Sequence, residues 1–218
     1  MNRPTRIGTA LIALALLAAC HDEQAQRPTR DNFTAALDDY LARRGNLCIA
    51  KYDWPIAVTE ADRQGHSPDA QQMPVLEALG LASGRDTSVT RQGTDGVAAT
   101  LPAREYALTS AGQKYYLHVP VVVATPTQHA THPADFCVAR LTLDRLFGWE
   151  TPQTIAGRTV TSLLFSYRIV ELAPWMATPE ARRAFPMAIR SIDNAGVLQL
   201  RLGVHLTTDG WVADELSE

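Results

Sequence analysis

Three cysteines in 218 residues are too few for a densely stapled fold. The apolar stretch Ala10–Leu17 falls well short of the ~20 residues that cross a bilayer. No second hydrophobic segment comes nearer, so the rest of the chain reads as soluble. Positive charge is not in excess: 20 Lys and Arg stand against 23 Asp and Glu, a net −3. A nucleic-acid partner would want a basic face, and none is expected. Also missing are a Gly-x-Ser-x-Gly elbow, a Ser-x-x-Lys pair, a Gly-x-Gly-x-x-Gly turn and a phosphate-cradling Gly-Lys-Ser/Thr. Their absence counts against common hydrolases and nucleotide enzymes, and no cofactor is expected.

What is present begins at the N-terminus. Arg3 and Arg6 precede Ala10–Leu17, and Leu17-Ala18-Ala19-Cys20 closes the run with small residues and a cysteine. This pattern resembles the lipobox signal peptide of bacterial lipoproteins. The resemblance implies that residues 1–19 are removed, that Cys20 is lipidated, and that acyl chains hold the protein to a membrane. His21 stands where an aspartate signals inner-membrane retention. By the same resemblance it favours the periplasmic face of the outer membrane, with Asp22 and Glu23 leaving the inner membrane as the alternative. Residues 20–30 are polar and read as a flexible tether to a single domain over 31–218. Removing two arginines with the signal leaves 18 basic against 23 acidic residues, or −5.

With Cys20 lipidated, Cys48 and Cys137 remain as an even pair in an oxidising compartment, and a disulfide between them is expected. Their Cα atoms should then lie within ~4.4–6.8 Å.

The first element reads as a helix over 31–44. Phe33, Leu37, Tyr40 and Leu41 fall on one face, and Arg43-Arg44-Gly45 makes a stop. Leu47–Ala50 reads as a short extended segment. A second helix is expected over 71–79, ended by Gly80. The helix ending in Leu79-Gly80-Leu81, a variable loop and Tyr106-x-Leu108-Thr109-x-x-Gly112 together resemble part of a winged-helix domain, over residues 71–116 only. The resemblance implies that Thr109 follows a strand and caps a short helix. Its DNA-binding function conflicts with an export signal and has no basic recognition helix behind it.

In the C-terminal half, Cys137–Leu143, Leu163–Ile169 and Leu198–Leu206 alternate apolar and polar residues, the mark of half-buried antiparallel strands. Thr178 and Pro179 open a short helix reaching Phe185. Loops are expected over 59–69, 83–96 and 125–134. The resulting expectation is α+β: a mainly helical part over 31–116 beside a three- to four-stranded antiparallel sheet over 117–218.

Candidate chemistry is sparse. His129, His132 and Asp135 are suitable zinc ligands, but Pro126 and Pro133 favour an irregular polar loop, so no metal site is assigned. Asp38-Asp39 on the first helix, Asp53 before Trp54, and Asp135 are the acids a hydrolase would use. Adjacent helical acids point apart, however, and read as solvated surface. Trp54, Trp149, Trp175 and Trp211 lie beside turn residues, where tryptophan stacks a sugar or anchors a partner; the competing expectation is packing at the rim of a core. The spacing of Leu47-Cys48, Tyr106–Gly112, Phe136-Cys137, Pro174-Trp175 and Asp209-Gly210-Trp211 is similar to uncharacterised lipoproteins of Gram-negative envelopes. That similarity carries no activity onto any residue. The leading expectation is non-enzymatic binding of an envelope protein or polymer through a tryptophan-bearing surface. The alternatives are a peptidoglycan-type hydrolase and a periplasmic inhibitor or immunity protein.

Overall fold

Thr29 opens the longest helix among the described residues by accepting a hydrogen bond from Asn32 N, and the helix then lays one apolar stripe on a large antiparallel sheet. The structure is a computed structural model, and it describes residues 23–92, 96–124 and 129–216. The signal region and Cys20 lie outside the described residues. A short helix α1 (Glu23–Gln26) leads into α2 (Arg30–Arg44), β1 (Asn46–Cys48) and β2 (Ile56–Thr59). Next come α3 (Glu60–Gln64), α4 (Pro68–Ala78), and the paired strands β3 (Ala82–Gln92) and β4 (Ala98–Leu108). Helix α5 (Ser110–Gln113) precedes β5 (Tyr116–Leu117), β6 (Val121–Ala124) and β7 (His129–His132). The last third holds β8 (Asp135–Trp149), β9 (Gln153–Ile155), β10 (Arg158–Val170), α6 (Pro179–Ala184), α7 (Pro186–Asp193), β11 (Leu200–Thr207) and β12 (Gly210–Ala213).

The expected helical N-terminal part is not there. Among the described residues strand accounts for 44% and helix for 32%, and the helices other than α2 are short. A curled seven-stranded antiparallel sheet runs β1-β8-β10-β11-β12, with β5 on β8 and β9 on β10. A three-stranded sheet runs β2-β4-β3, and β6 pairs with β7. The overlooked strands explain the error. β3 and β4 pair along their whole length, from Ala82 opposite Leu108 to Gln92 opposite Ala98. β2 flanks only Ala103–Tyr106 of β4. Beyond that point the ribbon has no buried face, so nothing requires apolar residues to alternate. Its Thr and Val residues suit strands, but they carry no pattern. Two other expected loops hold structure as well. Thr59 and Asp62 form a reciprocal capping box that starts α3, and His129–His132 is strand β7.

Several local expectations stand. Thr178 caps α6 through Ala181 N, with Pro179 in its first turn. Thr109 follows β4 and caps α5 through Gly112 N. Gly112 sits where a Cβ would come within 2.0 Å of Leu81 O, so the small residue lets α5 close against the chain after α4. Cys48 and Cys137 are disulfide-bonded, joining β1 to β8 across 89 residues. Their Cα atoms are 3.7 Å apart, nearer than expected, at a point where the β1–β8 ladder shifts register between Leu47 and Cys48.

Two apolar cores result. One gathers Phe33, Ala36, Leu37 and Leu41 of α2 against Leu146, Leu163, Phe165, Leu202, Val204, Trp211 and Ala213 of the sheet. The other collects Val58, Met73, Leu76, Tyr106, Phe136, Val138, Trp175, Met176, Phe185 and Ile189 from seven different segments. Burying a side chain such as Phe33 or Phe136 contributes about 1.5–3 kcal/mol. β8 crosses between the cores, with Phe136 and Val138 in one and Leu146 in the other.

Candidate functional site

The four tryptophans do not make a surface. Trp211 and Trp149 flank Phe33 with ring centroids 4.9 Å away on each side. Trp175 meets Tyr115, Phe136 and Phe185 edge-on in the other core, and Trp54 leans on Phe136. Two tryptophans therefore serve each core. Trp175 Nε1 is buried there without a hydrogen-bond partner among the described residues.

The sequence-selected acids are separated. Asp38 and Asp39 are exposed on α2, and Asp39 pairs with Arg43 at 3.0 Å. Asp53 pairs with His132, Oδ2 to Nδ1 at 2.8 Å, and Tyr52 stacks on the same imidazole at 4.4 Å. His129 is exposed on β7, and Asp135 is buried. Among the described residues no three His, Cys, Asp or Glu side chains group as metal ligands. Asp135 instead accepts backbone N–H groups of Lys51 at 2.8 Å and Phe136 at 2.6 Å, and a further one from Ala50. Burial pushes its carboxyl above the usual range, against the pull of those donors and of the Lys51 charge. Its role is to stitch the turn after β1, where Ala50 takes a left-handed φ of 57°, onto the start of β8.

That turn forms one wall of a cleft of about 630 Å³. Ile49, Ala50 and Lys51 face Pro68, Asp69 and Gln72 at the start of α4, and Phe185 to Ala188 at the α6–α7 junction. The Lys51 side chain is 4% exposed and its ammonium meets Asp69 Oδ1 at 3.0 Å. Gln72 Nε2 donates to Ala184 O at 2.9 Å and ties α4 to the end of α6. α7 starts without a side-chain cap, and Pro186 has no N–H. The first-turn N–H groups of Met187 and Ala188 therefore have no helical acceptor and carry the positive end of the helix dipole. Met187 stands 74% exposed at the rim. The cleft thus offers apolar walls, a shielded ammonium in an ion pair and an uncapped helix start. That set suits a partner carrying an acidic group beside apolar surface.

Sequence reasoning missed this cleft because its walls come from residues 48–51, 68–72 and 183–188, which nothing local connects. One signal was available: Lys51 is one of only two lysines in a chain with 18 arginines. The chain matches no family model, no curated protein and no solved structure.

Proposed function

We propose that this protein is a lipid-anchored protein of the bacterial envelope that binds an envelope protein or polymer without transforming it. Cys20 carries the acyl chains, and the periplasmic face of the outer membrane is its place. No helix among the described residues is long and apolar enough to cross a membrane, which leaves attachment in this reading to the lipid. The cleft beside Lys51 supports the binding reading: about 630 Å³ of concave space between apolar walls, the Lys51–Asp69 ion pair and the start of α7. The tryptophans are taken up by the cores, so recognition falls to this cleft rather than to an aromatic surface. The candidate acids Asp38, Asp53 and Asp135 face different surroundings, which removes the observation that would favour a two-carboxylate hydrolase.

Two variants test the reading. Cys20→Ser should abolish lipid labelling and move the protein to the soluble periplasmic fraction. Membrane retention of that variant after a high-salt wash would reject the anchor. Met187→Asp places a negative charge at the cleft rim without touching either core. It should release whatever envelope component the wild-type domain captures in a quantified pull-down. Capture that is equal for both forms would reject the cleft as the site.

A further inference from the structure

The chain next to the anchor is not free. Gln26 Nε2 donates to Thr208 O at 2.9 Å, reaching the β11–β12 turn. Trp211 Nε1 donates back to Gln26 O at 3.1 Å and to Arg27 O at 3.3 Å. Asn32 Nδ2 closes the other side, on Gln24 O at 2.7 Å and Arg27 O at 2.8 Å. Gly210 permits this contact: its φ is +124°, and a Cβ there would lie 3.2 Å from Ala25 O. The polar stretch expected to be a flexible tether is therefore docked on the domain from Glu23 onward.

The sheet register shows what lies beside that docking point. Gln153 pairs with Val160, Val160 with His205, and His205 with Val212. Two residues farther along, Ile155 pairs with Arg158 and Thr207 with Gly210. The β9–β10 and β11–β12 turns thus close the same end of the sheet. With strands about 4.8 Å apart, Ile155 lies roughly 14 Å across from Gly210. Ile155 is 59% exposed, and Ala156, Gly157 and Arg158 are exposed with it. An apolar tip followed by an arginine suits the boundary between acyl chains and headgroups, where the arginine stem lies along apolar surface and its guanidinium reaches phosphate.

We propose that this end of the sheet rests on the lipid bilayer, with Ile155 at the interface, and that the docked α1 segment fixes the domain in one orientation. The proposal rests on lipidation of Cys20. Three residue steps separate Cys20 from Glu23, at most about 11 Å of chain. Glu23, the first residue of the docked segment, therefore stays within that distance of the bilayer surface, which keeps the end of the sheet that carries the Gly210 turn and the Ile155 tip on the membrane side of the domain. Acidic Glu23 and Asp209 offset Arg27 and Arg158 at this end, so contact depends on the anchor and the apolar tip rather than on anionic lipid. β10 runs from this end to Val170, which pairs with Arg140 near the disulfide. Cleft and bilayer are thereby separated by on the order of 40 Å of strand.

The test uses the full lipoprotein in vesicles of phosphatidylethanolamine with a minor share of phosphatidylglycerol. Nitroxide labels are placed at Ile155→Cys and, at the other end, Met187→Cys. The Ile155 label should lose contact with a water-soluble relaxation reagent and gain contact with lipid-dissolved oxygen. The Met187 label should show neither change. A fifteen-residue Gly-Ser insertion between Asp22 and Glu23 should erase the effect at Ile155 while the protein stays bound. Mass spectrometry of the purified chain separates the two ways to fail. An unacylated Cys20 overturns the anchor itself. An acylated, vesicle-bound protein whose Ile155 label stays in water overturns the orientation alone, and lipid contact that survives the insertion overturns the role of the short docked tether.

Discussion

The two cores are built on opposite principles. The core under α2 draws its sheet face from four neighbouring antiparallel strands and its lid from one helix, so alternation along each strand and a stripe along the helix suffice to assemble it. The core around Phe136 and Trp175 takes residues from β2, α4, β4, β8 and the α6–α7 region, few of which display a period. Both exclude water equally well: Phe33 and Phe136 are each fully buried. Local regularity therefore decides how readable a core is, not how well it is sealed. The irregular core also builds the cleft, because segments that meet at odd angles leave concave seams where a continuous sheet does not.

The sharpest way to break this comparison is to hollow out each core. Phe33→Ala and Phe136→Ala should each cost about 3–5 kcal/mol in urea denaturation. Because β8 runs through both cores, each variant should shift one common transition. Trp149 and Trp211 report one core, Trp54 and Trp175 the other. A fluorescence transition that separates from the circular-dichroism transition would show that the cores unfold independently.

The disulfide ranks next. Cys48→Ala, Cys137→Ala and the double variant should each lose about 2–4 kcal/mol, the double being no worse than either single. A larger additive loss in the double variant would mean that the side chains contribute packing beyond the bond.

A smaller effect is expected where α5 closes the β3–β4 ribbon. Gly112→Ala drives a methyl into Leu81 O and should cost about 1–3 kcal/mol. Thr109→Ala removes only the cap and should cost ~1 kcal/mol. The reversed order in thermal melts would show that the cap, not the close approach, positions the ribbon.

The smallest effect belongs to pH. The hydrogen bond from Arg104 holds the Glu77 carboxyl below its ordinary value of 4.5, linking α4 to β4. A depressed folded value stabilises above the unfolded value, and the gain disappears as pH falls through the folded one. Glu77→Gln should therefore lower the denaturation midpoint slightly at about pH 6, and the gap should close towards about pH 3. Asp135 has the opposite sign. Its raised folded value favours the fold at low pH, and that contribution is lost as pH rises through it. A gap that persists at low pH would assign the Glu77 effect to packing instead.

Legibility followed the same divide. The helix through Phe33 and Leu41 was readable to within a residue, and so were strand cores such as Leu163–Ile169, because burial on one face writes a period into the chain. The β3–β4 ribbon was not: with both faces wet over much of its length it has no period to write. Lys51 was unreadable as a cleft residue because its significance depends on Asp69 and the start of α7. Asp135 was misread as a possible ligand because its place among three backbone donors is set by a turn 84 residues away.

By itself, the sequence determined α2, the capped starts at Thr109 and Thr178, the alternating strands of the C-terminal half and the parity that pairs Cys48 with Cys137. Each depends on spacing within a few residues or on counting. Only the tertiary structure decided that tryptophans beside turns face inward, that residues 82–92 and 98–108 form a ribbon, that the chain from Glu23 to α2 is docked, and that three remote segments enclose a cleft. Those outcomes arise from long-range burial and hydrogen bonding, whose free energy exists only once distant segments have met.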